Sequence, residues 1–154
     1  MDIVKVYNQL KKYPLGKNLF SFIATLKAPY FSTISPVVQE LTQTSCQIFI
    51  RKRRKVLNHI GTVHAIAMCN ACELAFGLTM EAGVQKSLRW IPKAMSVRYL
   101  KKAETSLVAI CNCPDIKNYG TGEHIVKVIV QDLNQVIVMD ADITVYISPK
   151  KEVQ

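Results

Sequence analysis

The chain has 154 residues, 49% of them hydrophobic and 20% charged, which is enough to bury a real core and too apolar for a disordered segment. A net charge of +9 favours an anionic partner: nucleic acid, an acidic membrane surface or a phosphorylated small molecule; a basic surface without a partner is the plain alternative. No run reaches the roughly 18 apolar residues of a membrane span, and the start MDIVKVYNQLKKYPL lacks the apolar core of a secretory signal. The five cysteines are therefore expected to be reduced, in a cytoplasmic protein.

In chain order, the first thirty residues read as amphipathic helix, with apolar positions in LFSFIATL recurring at three- and four-residue intervals. Pro29 and Pro36 punctuate the next stretch of chain. Residues 37–54 read as a strand, in which Cys46, Ile48 and Ile50 share a face, ending in the cationic run Arg51-Lys52-Arg53-Arg54-Lys55. Residues 58–61 read as a loop. Residues 64–80 read as a helix rich in alanine, methionine and leucine, apolar all round and hence buried on all sides. Four strands come after it, at 88–102, 106–111, 124–131 and 136–147, with a hairpin turn at 132–135. In the last strand Ala141, Ile143, Val145 and Ile147 alternate with Asp140, Asp142, Thr144 and Tyr146. A central helix against a curved antiparallel sheet is an α+β layout, and one sheet of this size covers only one side of such a helix, so a second copy is expected to hide the rest. A single domain over 1–154 is expected, with a helical segment at 1–35 and a core at 36–150.

Chemistry concentrates between residues 58 and 73. Glu73 sits in the middle of the apolar helix, where an ionised carboxylate is costly unless it is paired or reaches a polar cleft. A hydrogen-bonded, purely structural Glu73 is the competing reading. Asn70 lies three residues earlier on the same face. The first turn of the helix, after Gly61, offers free backbone N–H groups to an oxyanion.

The stretch NHIGTVHAIAMCNACELAFG resembles the signature of hotdog-fold thioesterases, in the branch similar to phenylacetate-pathway thioesterases, which reads Asn-x-x-Gly-x-x-His-Gly-Gly with an acidic residue nine positions after the His. Asn58, Gly61, His64 and Glu73 fit it. The flanking LFSFIATLKAPYFSTISP and LRWIPKAMSVRYLKKA resemble an uncharacterised hotdog family, a domain-of-unknown-function group, so the resemblance spans nearly the whole chain. It implies a hotdog fold and an acyl-CoA thioesterase, with coenzyme A entering only as part of the substrate and no separate cofactor or metal. It also implies a site across the interface of a homodimer, which could pair further into a tetramer. In that scheme Glu73 activates water or attacks the thioester carbon, and Asn58 positions substrate or water. Gly61, His64, Ala65 and Asn70 form the oxyanion and substrate-binding end, with His64 structural. His64 and Glu73 lie about 13 Å apart along one helix, so a shared site needs the partner subunit.

The signature's two glycines are replaced by Ala65 and Ile66, side chains that narrow or re-aim the pocket. This motivates a second reading, a non-catalytic fatty-acyl or lipid-binding hotdog protein; a dehydratase fits the spacing less well. Arg51, Arg53, Arg54 and Lys55 could meet coenzyme A phosphates or form a solvated strand end, and Lys101 and Lys102 are a weaker candidate. Cys69-x-x-Cys72 and Cys111-x-Cys113 lack zinc-type His spacing and read as small buried hydrophobes. Trp90 and Tyr99 belong to no nucleic-acid signature, so no nucleic-acid partner is expected.

Overall fold

The computed structural model describes residues 2–150. Helix α1 (Ile3–Leu10) starts at Asp2, whose carboxylate accepts from the amides of Val4 and Lys5 at 3.1 and 3.2 Å. Helix α2 (Gly16–Leu26) comes next, and a short 3-10 turn spans Pro29–Ile34. The N-terminal helical segment is thus broken twice, around Pro14 and again just before Pro29, because a proline supplies no amide to the ladder and pushes the residue before it out of the helical region.

Strands β1 (Val37–Leu41) and β2 (Ser45–Ile50) form a hairpin where the sequence reading expects one strand. The turn has no glycine, proline or asparagine. It is closed by the Thr42 hydroxyl, which accepts from the amides of Thr44 and Ser45 at 3.1 and 3.0 Å. Helix α3 (Ala65–Gly83) is succeeded by β3 (Leu88–Tyr99), β4 (Leu107–Asn112), β5 (Gly122–Asp132) and β6 (Ile137–Pro149). The six strands form one antiparallel sheet in the order β1-β2-β4-β5-β6-β3.

Period-two alternation places Cys46, Ile48 and Ile50 of β2, Leu107, Ala109 and Cys111 of β4, and Val126, Val128 and Val130 of β5 on one face, all buried. Met139, Ala141, Ile143, Val145 and Ile147 of β6 continue that face, and α3 lies along it. Phe76 of α3 meets Trp90 of β3 edge-on, with ring centroids 5.4 Å apart. The one buried hydroxyl inside α3, Thr79, donates back to the Ala75 carbonyl at 2.8 Å. Gly83 ends the helix where a side chain has no room: a Cβ there would lie 2.4 Å from the Gln43 carbonyl oxygen and 2.5 Å from Ile116. On the opposite face of the sheet Arg98 forks onto Asp140 at 2.7 and 2.8 Å, which holds that carboxyl below its usual range.

The two edges of the sheet differ. Along β1, the Ser21 hydroxyl accepts from the Val38 amide at 2.8 Å, and the Gln39 carbonyl accepts from the Tyr7 hydroxyl at 2.6 Å and the Lys17 ammonium at 2.8 Å. The N-terminal helices therefore close that edge. Strand β3 carries its outer edge unpaired among the described residues over 12 residues, with a bulge between Pro92 and Ala94.

Candidate functional site at the start of the central helix

The approach to α3 is a turn built around Asn58. Its Oδ1 accepts from the amides of Ile60 and Thr62, each at 3.1 Å, and its Nδ2 donates to the Thr62 hydroxyl at 2.8 Å. The main chain closes the same turn from the Asn58 amide to the Thr62 carbonyl at 2.9 Å. Gly61 lies within it at φ +78°, a region in which glycine is not strained. Asn58 thus spends both ends of its amide on the turn, and Gly61 supplies backbone shape.

The turn delivers His64 to the N-cap of α3. Its Nδ1 accepts from the Ile66 amide at 3.1 Å, so the neutral ring keeps its proton on Nε2. The His64 amide itself donates to Val56 at 2.8 Å, and the Ala67 amide turns back to the His64 carbonyl at 3.0 Å. Of the donors in this first turn, the Ala65 amide meets no acceptor among the described residues. One free N–H at the positive end of a 19-residue helix is a place for a carbonyl oxygen gathering charge.

Beside it opens a cavity of about 180 Å³ whose lining includes Tyr30, Thr33, Lys55, His64, Ile66 and Asn70. Ile66, 55% exposed, stands at its mouth, where the hotdog signature has glycine. Asn70 is 6% exposed; its Nδ2 donates to the Thr33 hydroxyl at 3.3 Å and its Oδ1 has no partner.

Glu73 is exposed in the protomer. The sequence reading expects one sheet to cover only one side of the helix, and the sheet leaves a stripe of α3 open on which Ile66, Glu73 and Glu81 are exposed, with Gly77 half-buried between them. The spacing Glu73-x3-Gly77-x3-Glu81 is the sequence signal for that stripe, since residues four apart share a helix face. Lower down, the Tyr99 hydroxyl lies 3.5 Å from the Cys69 sulfur, a contact that, with burial, pushes the phenol up to about 12. Ala65 and Glu73 lie about 12 Å apart along the axis. The protomer therefore brings together His64, Ala65 and Asn70, and leaves Glu73 two turns away on an open face.

Of the cationic run, Arg53 donates to the Ser35 hydroxyl at 2.6 Å and Lys52 to the Glu104 carbonyl at 2.8 Å, so both serve the fold. Arg51, Arg54 and Lys55 are exposed, and only Lys55 borders the cavity. All five cysteines are free and buried, and burial raises the Cys46, Cys72, Cys111 and Cys113 thiols, which keeps them protonated. No cluster of three metal-binding side chains occurs among the described residues.

A family model described as a domain of unknown function, DUF4442, matches residues 16–147. The chain belongs to the DUF4442 family. A structural-genomics crystal structure is 37% identical, covering 96% of this chain and 99% of that one, with a TM-score of 0.85. A Pseudomonas aeruginosa protein of unknown function, described as a probable thioesterase, is 14% identical over 90% of this chain and 97% of its own, with a TM-score of 0.76. A Haemophilus influenzae thioesterase is 8% identical, covering 86% and 92%, with a TM-score of 0.72. Likenesses at identities that low establish the hotdog fold alone. The search of curated proteins returned no match.

Proposed function

We propose that this DUF4442 protein is an acyl-CoA thioesterase that works as a dimer. The observation that carries the proposal is the placement of Glu73. It is an ionisable carboxylate set in the apolar central helix, on the stripe of that helix left bare by its own sheet. Stripe and edge call for the same cover: the outer edge of β3 is unpaired among the described residues, while the opposite edge is sealed by α1 and α2. A second copy meeting β3 would run its central helix antiparallel to the first, so that the Ala65 amide of one protomer approaches Glu73 of the other. The Ala65 amide then holds the thioester oxygen as charge develops on it. Glu73 deprotonates water for attack, or attacks the carbonyl carbon itself. Asn70 lines the cavity beside this helix start and helps shape the seat for the substrate. The exposed Arg51, Arg54 and Lys55 supply positive charge to coenzyme A phosphates. Relatives described as thioesterases support the reaction class.

The test is thiol release from a panel of acyl-CoAs by the wild type and Glu73→Gln. A loss of about a hundredfold or more in kcat with an unchanged melting temperature is expected, in the range that acid–base groups contribute; equal turnover removes Glu73 from the reaction. Ile66 at the cavity mouth favours a second reading, a non-catalytic fatty-acyl binder. Saturable acyl binding with no thiol release, unchanged in Ile66→Gly, would select that reading instead.

A further inference from the structure

Helix α2 has a buried inner side and an apolar side that faces outward. Its inner side is committed to β1 through Phe20, Ser21 and Thr25, all buried, with Ser21 holding the Val38 amide. Its outer side has Leu19, Phe22, Ile23 and Leu26, an arc about 100° wide at 100° per residue. Leu15 precedes the helix and Tyr30 comes after it, both exposed. Leu19 is 49% exposed, Phe22 60%, Ile23 40% and Leu26 61%, and their shared helix face makes this a hydrophobic stripe rather than a scatter of single side chains. Leu15 also sits at φ 60°, a left-handed conformation in which a bulky side chain is strained and an asparagine or glycine would be at ease. An apolar group is thus presented to solvent at a position where backbone geometry argues for a polar one.

Charge identifies the occupant. Between residues 3 and 39 there are five lysines and no acidic residue, so a quarter of the sequence supplies more than half of the net charge of +9. Lys11, Lys12 and Lys27 are exposed at the two ends of α2, while Lys17 is held to the Gln39 carbonyl on the β1 side. A symmetric contact with a second copy would bring the two lysine sets together and repel. An anionic bilayer satisfies both features at once, taking the apolar arc below its headgroups while the lysines meet the phosphates. No helix of the described residues is long and apolar enough to cross a membrane, so α2 would lie in the interface plane.

We propose that the outer face of α2, with its lysine rim, docks the protein on anionic membrane surfaces. The proposal is independent of the thioesterase reading, since it involves neither Glu73 nor the cavity beside Asn70.

The test is co-sedimentation of the full chain with phosphatidylcholine vesicles, with and without about 30 mol % phosphatidylglycerol. Binding is expected to the anionic vesicles and to fall steeply as salt rises from about 0.1 to about 0.5 M. The triple variant Leu15→Asn, Phe22→Ser, Leu26→Ser changes only exposed side chains and should abolish it. Lys12→Glu with Lys27→Glu keeps every apolar group and should weaken it about tenfold or more, since each lysine near such a surface is worth roughly fivefold. Absence of sedimentation overturns the proposal, as does equal sedimentation of the triple variant with unchanged circular dichroism. So does a wild type that light scattering shows as a larger assembly than the triple variant, because the face would then be an interface between copies.

Discussion

Replacing Asn58 by alanine removes three hydrogen bonds at once: two from the Ile60 and Thr62 amides to Oδ1, and one from Nδ2 to the Thr62 hydroxyl. Thr62 is buried, so water replaces its two bonds poorly, while the exposed Ile60 amide is solvated readily. At about 1 kcal/mol net per bond, with two of them sharing one oxygen, the loss is about 2–3 kcal/mol. In a chain of this size that lowers the melting temperature by about 5–10 °C. Asn58→Asp preserves both acceptor bonds, and the Thr62 hydroxyl can turn to donate into the third, so its stability should stay within about 1 kcal/mol of wild type. Urea unfolding of the three proteins at one fixed concentration reads this directly, because any assembly makes stability concentration-dependent. Should Asn58→Ala unfold within about 0.5 kcal/mol of wild type yet lose acyl-CoA hydrolysis, the assignment of Asn58 to the turn is wrong and a direct role in the reaction takes its place.

The fold carries three further expected outcomes. Gly83→Ala should cost about 1–3 kcal/mol, measured by urea denaturation, because the new Cβ meets the Gln43 carbonyl at 2.4 Å and must displace backbone. Ser21→Ala should strip the Val38 amide of its partner and cost about 1–3 kcal/mol; exposing the β1 edge should also raise light scattering on heating. Stability should fall as pH rises above about 9. Burial pushes the Cys111 thiol from 9.0 to about 12 and the Tyr7 phenol from 10.0 to about 12, so the unfolded chain releases these protons first and is favoured by alkali. Tyr7→Phe should flatten the alkaline limb of the stability profile between about 10 and 12; an unchanged limb would mean that Tyr7 titrates as an exposed phenol.

The resemblance in the sequence and the alternation of β2, β4, β5 and β6 agree because both are local matters. A strand whose every second residue must face α3 declares itself in Cys46-Ile48-Ile50 and in Ala141-Ile143-Val145-Ile147 without knowledge of its neighbours. The break between β1 and β2 was less legible, since a threonine side chain rather than a glycine makes the turn. Asn58, Gly61 and His64 stood out as a motif, but their division of labour did not. An asparagine that closes a turn and one that holds a substrate look alike in a sequence, and only the two amides converging on Oδ1 tell them apart.

By itself, the sequence determined that a mostly apolar helix would be wrapped by antiparallel strands, because residues 65–80 offer a solvated helix almost no polar face and the later segments alternate with period two. Which stripe of the helix stays bare, and hence that Glu73 stands exposed and Asn70 is sunk with an idle oxygen, was decided by the tertiary structure alone. Composition states how much apolar surface must be hidden. The curvature of the sheet and the sealing of its β1 edge by α1 and α2 decide where the cover stops.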